Sequence, residues 1–308
     1  MPTADPPDTA AERGAAGLRW RPAAPGQAVD GGVGRSAAAT LPSAGDWPPV
    51  LVAEDLLERG VVAAFTTRVG GTSARPFDSC NLGLRVGDDA RRVLANRRRV
   101  LTVLGLAGRP LATMRQVHGA NVAVVGPDVP GQGPPEGRPP LARDQGADVL
   151  VTTSPGPALM VLTADCVPVL LADPAARVVA AVHAGWRGLA AGAVEAGVAA
   201  LAAAGADPGR TVALVGPCIG PAAYEVGPDV LDQVAGRYPD AAASTAGGRP
   251  SLDLAAAATA ALAGAGVAGI RVSGECTHDQ PDRFFSFRRE GTTGRQAGIV
   301  ALAPVAGP

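Results

Sequence analysis

The chain has 308 residues, of which 47% are hydrophobic, and its formal net charge is −1. This length is sufficient for one large domain with a sizeable core, and the near-zero charge argues against partners such as nucleic acid or an anionic membrane. All 27 basic residues are arginine. The absence of lysine excludes Schiff-base catalysis by lysine and phosphate-binding loops that end in Gly-Lys-Ser/Thr.

Four cysteines, Cys80, Cys166, Cys218 and Cys276, are far apart along the chain, which argues against a disulfide-bonded secreted domain. Gly, Pro, Asp or Arg interrupts every apolar run before it reaches membrane-spanning length. The first residues contain early acids and no apolar signal segment. We therefore expect a cytoplasmic protein without a membrane span.

Residues 1–46 are rich in Ala, Pro and Gly and show neither strand nor helix periodicity. We expect a disordered or low-complexity tail there, followed by a folded domain over 47–305. The stretch "GVVAAFTTR" is typical of a strand that ends at the Gly-Gly pair after it. Apolar spacing predicts a helix over 88–106, and its arginine run at 97–99 is expected on the solvated face.

The middle of the chain predicts short strands and a long loop. Residues 114–125 suggest a strand, a turn at Gly119 and a second strand, and 147–166 suggest two further strands. Between them, 126–146 form a loop rich in Pro and Gly, and loops of this length are often functional or disordered.

The C-terminal half alternates predicted helices and strands. Helices are expected over 189–205, 229–238 and 253–266, with strands at 211–220, at 269–276 and within 282–302. Together these elements predict an α/β (α+β) fold, namely a single domain in which mixed β-sheets pack between helices.

Two apolar runs in "CVPVLLADPAARVVAAVH" flank residues 173–176, which predict a four-residue hairpin turn. With that turn Ala172 faces Arg177, and Cys166 faces His183. Facing residues on one side of a hairpin have Cβ atoms about 4.5–5.5 Å apart, so both side chains could bind one metal ion. A one-residue slip in register would abolish this arrangement.

His118, Cys166 and His183 are the candidate metal ligands, because each lies at a turn or a strand end. Three protein ligands leave one position open, as in catalytic zinc sites. Their spacings of 48 and 17 residues match no recognised zinc pattern, and simple packing remains the alternative. Trp186, which follows His183 in "HAGWRG", either stacks on an aromatic ligand or packs in the core.

Six blocks of sequence carry a resemblance to a known family. They are "FTTRVGGTSARPFDSCNLGLRVGDD", "RQVHGANV", "TADCVPVLLAD", "VHAGWRGLAAG", "GPCIGPAAYEVGPDV" and "FFSFRREGTTGRQA". In this order, between about residue 60 and 302, the chain resembles the YfiH-like family. That family was described first as a multicopper polyphenol oxidase or laccase domain and later as a purine nucleoside phosphorylase with adenosine deaminase activity.

The resemblance implies a YfiH-like layered fold, with 47–305 as the catalytic domain. It also implies a zinc ion on His118, Cys166 and His183, with copper as the alternative cofactor. The expected reaction is phosphorolysis of adenosine, inosine or methylthioadenosine, with adenosine deamination as a second activity. The partners would then be a purine nucleoside and phosphate, and the protein would be a monomer or weak homo-oligomer.

Further site residues are expected around this centre. Besides the ligand Cys166, Asp165 and Arg187 are candidates for catalytic roles. We expect substrate contacts from Arg187 and from Arg68, Asn81 and Arg288. Each arginine is otherwise explained as a surface or ion-pair residue, and Cys218 as either a thiol near the site or a small buried side chain.

At three positions the chain departs from the family pattern. Cys80 replaces a bulky aliphatic residue, Phe287 replaces the usual tyrosine, and Glu290 replaces the common aspartate. Loss of the tyrosine hydroxyl would weaken ligand binding if that group holds a ligand.

Three alternative functions are open at this point. They are a hydrolase that edits peptidoglycan precursors, a copper-dependent polyphenol oxidase, and a non-enzymatic binding protein stabilised by zinc. The last predicts a closed fourth ligand such as Cys218. The H-x-E and P-C-x-x-C signature of nucleobase deaminases is absent, and three histidines are too few for a multicopper oxidase.

Overall fold

Two β-sheets lie face to face at the centre of the structure, and helices cover both outer sides. The structure is a computed structural model that describes residues 13–14, 17–21, 47–127 and 146–303. The predicted fold class, α/β with mixed sheets between helices, is confirmed.

The first sheet contains seven strands: β1 (Arg13–Gly14), β2 (Leu18–Arg21), β3 (Val50–Ala53), β4 (Val61–Thr66), β5 (Leu111–Ala112), β8 (Ala158–Thr163) and β15 (Gln296–Leu302). Their spatial order is β1-β2-β3-β4-β15-β8-β5. All neighbours are antiparallel except β5 and β8. The predicted strand at "GVVAAFTTR" is β4, which is buried along its whole length.

The second sheet contains six strands: β6 (Val122–Val124), β7 (Val149–Thr152), β9 (Val167–Asp173), β10 (Val178–Ala184), β11 (Val212–Val215) and β14 (Gly269–Val272). Their order is β14-β11-β9-β10-β7-β6, with β14–β11 and β7–β6 parallel. A separate pair joins β12 (Ala242–Ser244) to β13 (Pro250–Leu252). Of the two strands predicted around Gly119, only the second forms, as β6. Residues 113–118 are irregular and follow β5, which belongs to the first sheet.

The helices are α1 (Glu54–Glu58), α2 (Ala90–Val103), α3 (Trp186–Ala190), α4 (Ala193–Ala203), α5 (Pro228–Ala235), α6 (Leu254–Gly264) and α7 (Phe287–Glu290). Short 3-10 helices cover Pro208–Arg210 and Pro239–Ala241. The helix predicted over 189–205 is thus two helices, because Gly192 takes a left-handed conformation between α3 and α4. No helix in the described ranges is long and apolar enough to cross a bilayer.

The buried side chains form three layers. The middle layer fills the space between the two sheets, where Phe65, Leu159 and Leu170 are buried. The second sheet packs its other face against α4 and α6, and the first sheet packs its other face against α2. Alternation along β9 and β10 assigns successive residues to opposite layers. As a result, the odd-numbered positions of β10 through His183 face the first sheet.

The arginine run in α2 corrects one expectation. Arg98 is exposed, but Arg97 is only 4% exposed and donates from Nε and Nη2 to the carbonyl oxygen of Leu82. Arg99 is half-buried and donates to the carbonyl of Gly70. The prediction that the whole run is solvated was wrong, because the irregular segment after β4 lies across this helix face.

The N-terminal prediction also needs correction. Residues Leu18–Arg21 were expected within a disordered tail, yet they pair with β3 in antiparallel register. Strands gain their hydrogen bonds from neighbouring strands, so a short segment with weak local signal can still join a sheet. The rest of residues 1–46, apart from Arg13–Gly14 and Gly17, lies outside the described residues, as does most of the predicted 126–146 loop.

Candidate metal centre

His118, Cys166 and His183 converge at one edge of the stacked sheets. Their ligand atoms all lie within 4.8 Å of one another, and the two imidazole rings meet edge to face with centroids 4.8 Å apart. His183 is buried, Cys166 is half-buried and His118 is exposed. The cluster is therefore enclosed by protein around His183 and open to solvent on the His118 side.

Asp148 orients two of the three ligands. Its carboxylate is fully buried and accepts hydrogen bonds from the backbone N–H groups of Val117, His118 and Gly119. The same carboxylate lies 2.8 Å from Nδ1 of His183. A carboxylate on one imidazole nitrogen directs the other nitrogen to a metal, so Asp148 leaves Nε2 of His183 free for binding.

The β9–β10 hairpin differs in register from the prediction. His183 lies opposite Pro168, and Asp173 lies opposite Val178. The turn contains residues 174–177. Arg177 adopts a left-handed conformation there, and the Asp173 carboxylate accepts hydrogen bonds from the backbone N–H groups of Ala175 and Ala176. The register is thus displaced by two residues from the predicted one.

This displacement preserves the side of the sheet on which both ligands lie. Continuing the observed register by one pair places Cys166 opposite Gly185, diagonal to His183, and diagonal neighbours lie within reach of long side chains. A Cβ atom on Gly185 would lie 2.9 Å from Sγ of Cys166 and 2.9 Å from Nδ1 of His118. Glycine is therefore needed at 185 to leave room for the cluster.

The electrostatics favour a thiolate. Burial raises the pKa of Cys166, but the charge of His183 and hydrogen bonds from His118 and His183 outweigh it and lower the pKa below its usual value. Burial lowers the pKa of His183, yet the Cys166 charge and Asp148 raise it further. A thiolate beside two imidazoles is a donor set that suits zinc or copper. In the described residues, no fourth thiol, imidazole or carboxylate joins this group.

Asp165 joins three segments beneath the cluster. Its carboxylate accepts from Oγ1 of Thr277 at 2.7 Å and from the backbone N–H of Arg288 at 2.6 Å. Its carbonyl accepts from the N–H of Ile219. Asp165 lies before β9, and its backbone has a φ of 94°. The alternation of a regular strand, which would direct its side chain away from Cys166, therefore does not apply.

Tyr224 lies near Cys166, Arg187 and Arg288. The guanidinium carbon of Arg187 lies 4.3 Å from the ring centroid of Trp186, and that of Arg288 lies 4.9 Å from the ring of Tyr224. Burial and the charges of Cys166 and Asp165 raise the pKa of Tyr224 to about 12, although both arginines oppose the shift. Its hydroxyl therefore remains protonated and can donate a hydrogen bond near the cluster.

Arg68 and Asn81 occupy supporting positions. Arg68 donates to the carbonyl oxygens of Asp78 and Pro281 and to the carboxylate of Glu290 at 2.7 Å. Asn81 is fully buried, and its amide bonds to Gly83, Asp88 and the backbone N–H of Arg295. In this structure Asn81 positions neighbouring backbone and is enclosed from solvent, and its contact with substrate stays a prediction.

Sequence reasoning did not identify Asp148, Tyr224 or Arg295 as site residues. Asp148 lies in "GADVL" and resembles the other loop acids of the chain. Tyr224 and Arg295 fall within quoted blocks, yet nothing in their spacing marks them. For Tyr224 the scarcity of its residue type could have drawn attention to it, because the chain has only two tyrosines.

The family model for multi-copper polyphenol oxidoreductase laccase matches residues 62–303. The chain belongs to this YfiH-like family. A Streptomyces coelicolor protein named purine nucleoside phosphorylase SCO2081 is 47% identical over 243 residues, which cover 79% of this chain and 96% of that protein. Purine nucleoside phosphorylase YfiH of Escherichia coli is 39% identical over 248 residues, with 79% and 95% covered.

Solved structures of YfiH-like proteins are similar over the same region. YlmD from Geobacillus stearothermophilus has a TM-score of 0.74 and 34% identity, covering 83% of this chain and 96% of that one. Protein NMB0706 of Neisseria meningitidis has a TM-score of 0.67 and 37% identity, with 80% and 95% covered. The layered fold is therefore that of the YfiH-like family.

Proposed function

We propose that this protein is a purine nucleoside phosphorylase that uses Zn²⁺ held by His118, Cys166 and His183. The observation that supports this most directly is the three-ligand cluster, open to solvent on one side. It occurs in a chain that is 47% identical to a protein named for this activity. A bound Zn²⁺ would supply a Lewis acid beside the substrate.

In phosphorolysis the C1′–N9 bond of the nucleoside breaks and a bond from C1′ to a phosphate oxygen forms. The purine leaves with the bonding electron pair and takes up a proton. The residues of this chain would hold both reactants and stabilise the charge that develops. Arg187 and Arg288 supply positive charge at the mouth of the site, and the protonated hydroxyl of Tyr224 can donate to an acceptor on the substrate.

Adenosine deamination is proposed as a second activity of the same open position. In that reaction water adds at C6 of adenine and ammonia leaves. The other candidates receive less support from the chain. A multicopper oxidase needs many more ligands than three histidines provide, and Cys218 does not belong to the cluster, as a closed structural site would require.

The experiment uses the zinc-loaded protein with inosine or adenosine, with and without orthophosphate. We expect free base together with ribose 1-phosphate only when phosphate is present, and ammonia from adenosine marks deamination. The Cys166→Ala variant should be inactive, whereas Cys276→Ala, which removes a thiol outside the cluster, should retain activity. Equal release of base without phosphate, or no turnover of any nucleoside, would contradict the proposal.

A further inference from the structure

Arg295 is held rigidly at the start of β15. Its backbone N–H donates to Oδ1 of the fully buried Asn81 at 2.9 Å. Its aliphatic stem crosses Gly83 so closely that a Cβ atom there would lie 2.9 Å from Cγ of Arg295. A charged side chain fixed in this way loses little conformational entropy when it binds a ligand.

The guanidinium of Arg295 is only partly used. Nη1 donates to the carbonyl oxygens of Thr293 and Gly294, at 2.9 and 2.8 Å. Among the described residues, Nε and Nη2 have no hydrogen-bond acceptor, and no carboxylate forms an ion pair with this arginine. Arg68 and Arg289, in contrast, both bind the carboxylate of Glu290.

Arg295 also lies beside the metal cluster. Gln296, the next residue, pairs with Thr163, two positions before Asp165. The charges of Cys166 and Asp165 act on the guanidinium, whose pKa is lowered overall by burial. The ring of Phe287 lies 6.0 Å away and is 58% exposed, so this side of the guanidinium is close to the solvent-facing part of the site.

A half-buried guanidinium without a carboxylate is suited to an anion, because its charge is desolvated and not neutralised. The planar fork of Nε and Nη2 matches two oxygens of a phosphate group. The nearby acid, Asp165, opposes anion binding by its charge, but its two oxygens already accept bonds from Thr277 and Arg288.

We propose that Arg295 binds the orthophosphate co-substrate through Nε and Nη2, beside the metal cluster. This inference rests on the proposed function, because phosphate is the nucleophile of phosphorolysis. Two phosphate oxygens accept from Arg295, and a third forms the bond to C1′ as the C1′–N9 bond breaks and the purine leaves with the electron pair. Arg187 and Arg288 then contact the nucleoside side of the site.

The test measures orthophosphate binding by calorimetry on the zinc-loaded protein and on two variants. Arg295→Gln should weaken phosphate binding by about 10- to 100-fold, the range for loss of charge-assisted hydrogen bonds. Arg295→Lys keeps the charge without the fork and should fall between. The control is Arg98→Gln, which removes an exposed arginine on α2 and should leave phosphate binding unchanged. Zinc content and melting temperature of each variant verify the fold.

Steady-state kinetics separates this inference from the proposed function. We expect Arg295→Gln to raise the KM for phosphate at least tenfold while the KM for inosine changes less than twofold. Unchanged phosphate binding in Arg295→Gln, or a loss no greater than in Arg98→Gln, overturns the role of Arg295. If phosphate binding depends on Arg295 but no nucleoside is cleaved, the anion site stands and the phosphorylase proposal fails.

Discussion

The buried carboxylate of Asp148 positions two of the three metal-ligand candidates. Burial raises its pKa, but bonds from His183 and from the N–H of Gly119 lower the pKa below its ordinary value, so it stays ionised. Its carboxylate fixes the backbone that carries His118 and the ring of His183 at once. Two ligands from distant parts of the chain therefore depend on one buried charge.

Asp148→Asn is expected to lower zinc affinity by about 10- to 100-fold, the usual effect of removing a carboxylate from a ligating histidine. The asparagine keeps the volume but exchanges one acceptor oxygen for an N–H₂ donor that faces backbone N–H groups. Competition with a chromogenic chelator measures the affinity. Asp279→Asn is the matched control, because the exposed Asp279 also lies 2.8 Å from a histidine, the half-buried His278. Equal affinities of the two variants would contradict the role of Asp148.

Helix α4 shows how a helix adapts to the sheet beneath it. Gly197 lies where α4 crosses β10, and a Cβ atom there would lie 2.6 Å from Cγ2 of Val182. Glycine costs a helix interior about 1 kcal/mol relative to alanine. The chain tolerates that cost because close contact with the sheet allows no side chain. Gly264, the last residue of α6, has no neighbouring atom within 4 Å of such a Cβ.

The same substitution should therefore act with opposite sign in the two helices. Gly197→Ala is expected to lower the free energy of unfolding by about 1–3 kcal/mol through overpacking. Gly264→Ala should raise it by about 0.4–1 kcal/mol through reduced entropy of the unfolded chain. Urea unfolding followed by circular dichroism measures both, and stabilisation by Gly197→Ala would show that α4 can move away from β10.

At the scale of the whole molecule, the two sheets are joined by more than their shared core. Asp55 in α1 belongs to the layer of the first sheet, and Arg271 lies on β14 at the edge of the second. Their side chains form two hydrogen bonds of 2.5 and 2.6 Å. The pKa of Asp55 is lowered, chiefly by these bonds and against the effect of burial.

A pKa that is lower in the native state predicts the pH dependence of this pair. Its stabilising contribution is complete above the unfolded-state value of about 3.9 and is lost as the pH falls through the lower native value. The Asp55 side chain is 42% exposed, so solvent screening limits the contribution to about 0.5–1 kcal/mol.

Denaturant unfolding of wild type and Asp55→Asn should therefore differ by that amount at pH 7, and the difference should shrink as the pH falls below about 3.9. Asp240→Asn removes an exposed carboxyl that forms no ion pair with the described residues, and it serves as the control. A difference between wild type and Asp55→Asn that stays constant down to pH 3 would contradict the prediction.

Local patterns were sufficient for much of the fold. Helix α2 forms within its predicted range and is capped by Asp89, α6 follows its apolar run, and β9 and β10 form a hairpin with its turn at 174–177. Such elements depend on neighbours within a few residues. The predictions that Arg97 is solvated and that Leu18–Arg21 lies in a disordered tail were wrong, because segments outside each stretch provide their hydrogen bonds.

The sequence by itself determined which groups are available for chemistry: three histidines, four cysteines and no lysine. It also placed His118, Cys166 and His183 at turns and strand ends. Only the tertiary structure decided the hairpin register, the contacts of the Asp148 carboxylate with His118 and His183, and the absence of an acceptor at Nε and Nη2 of Arg295 among the described residues. These features arise where loops from both sheets meet, and their geometry depends on how the sheets stack rather than on any local pattern.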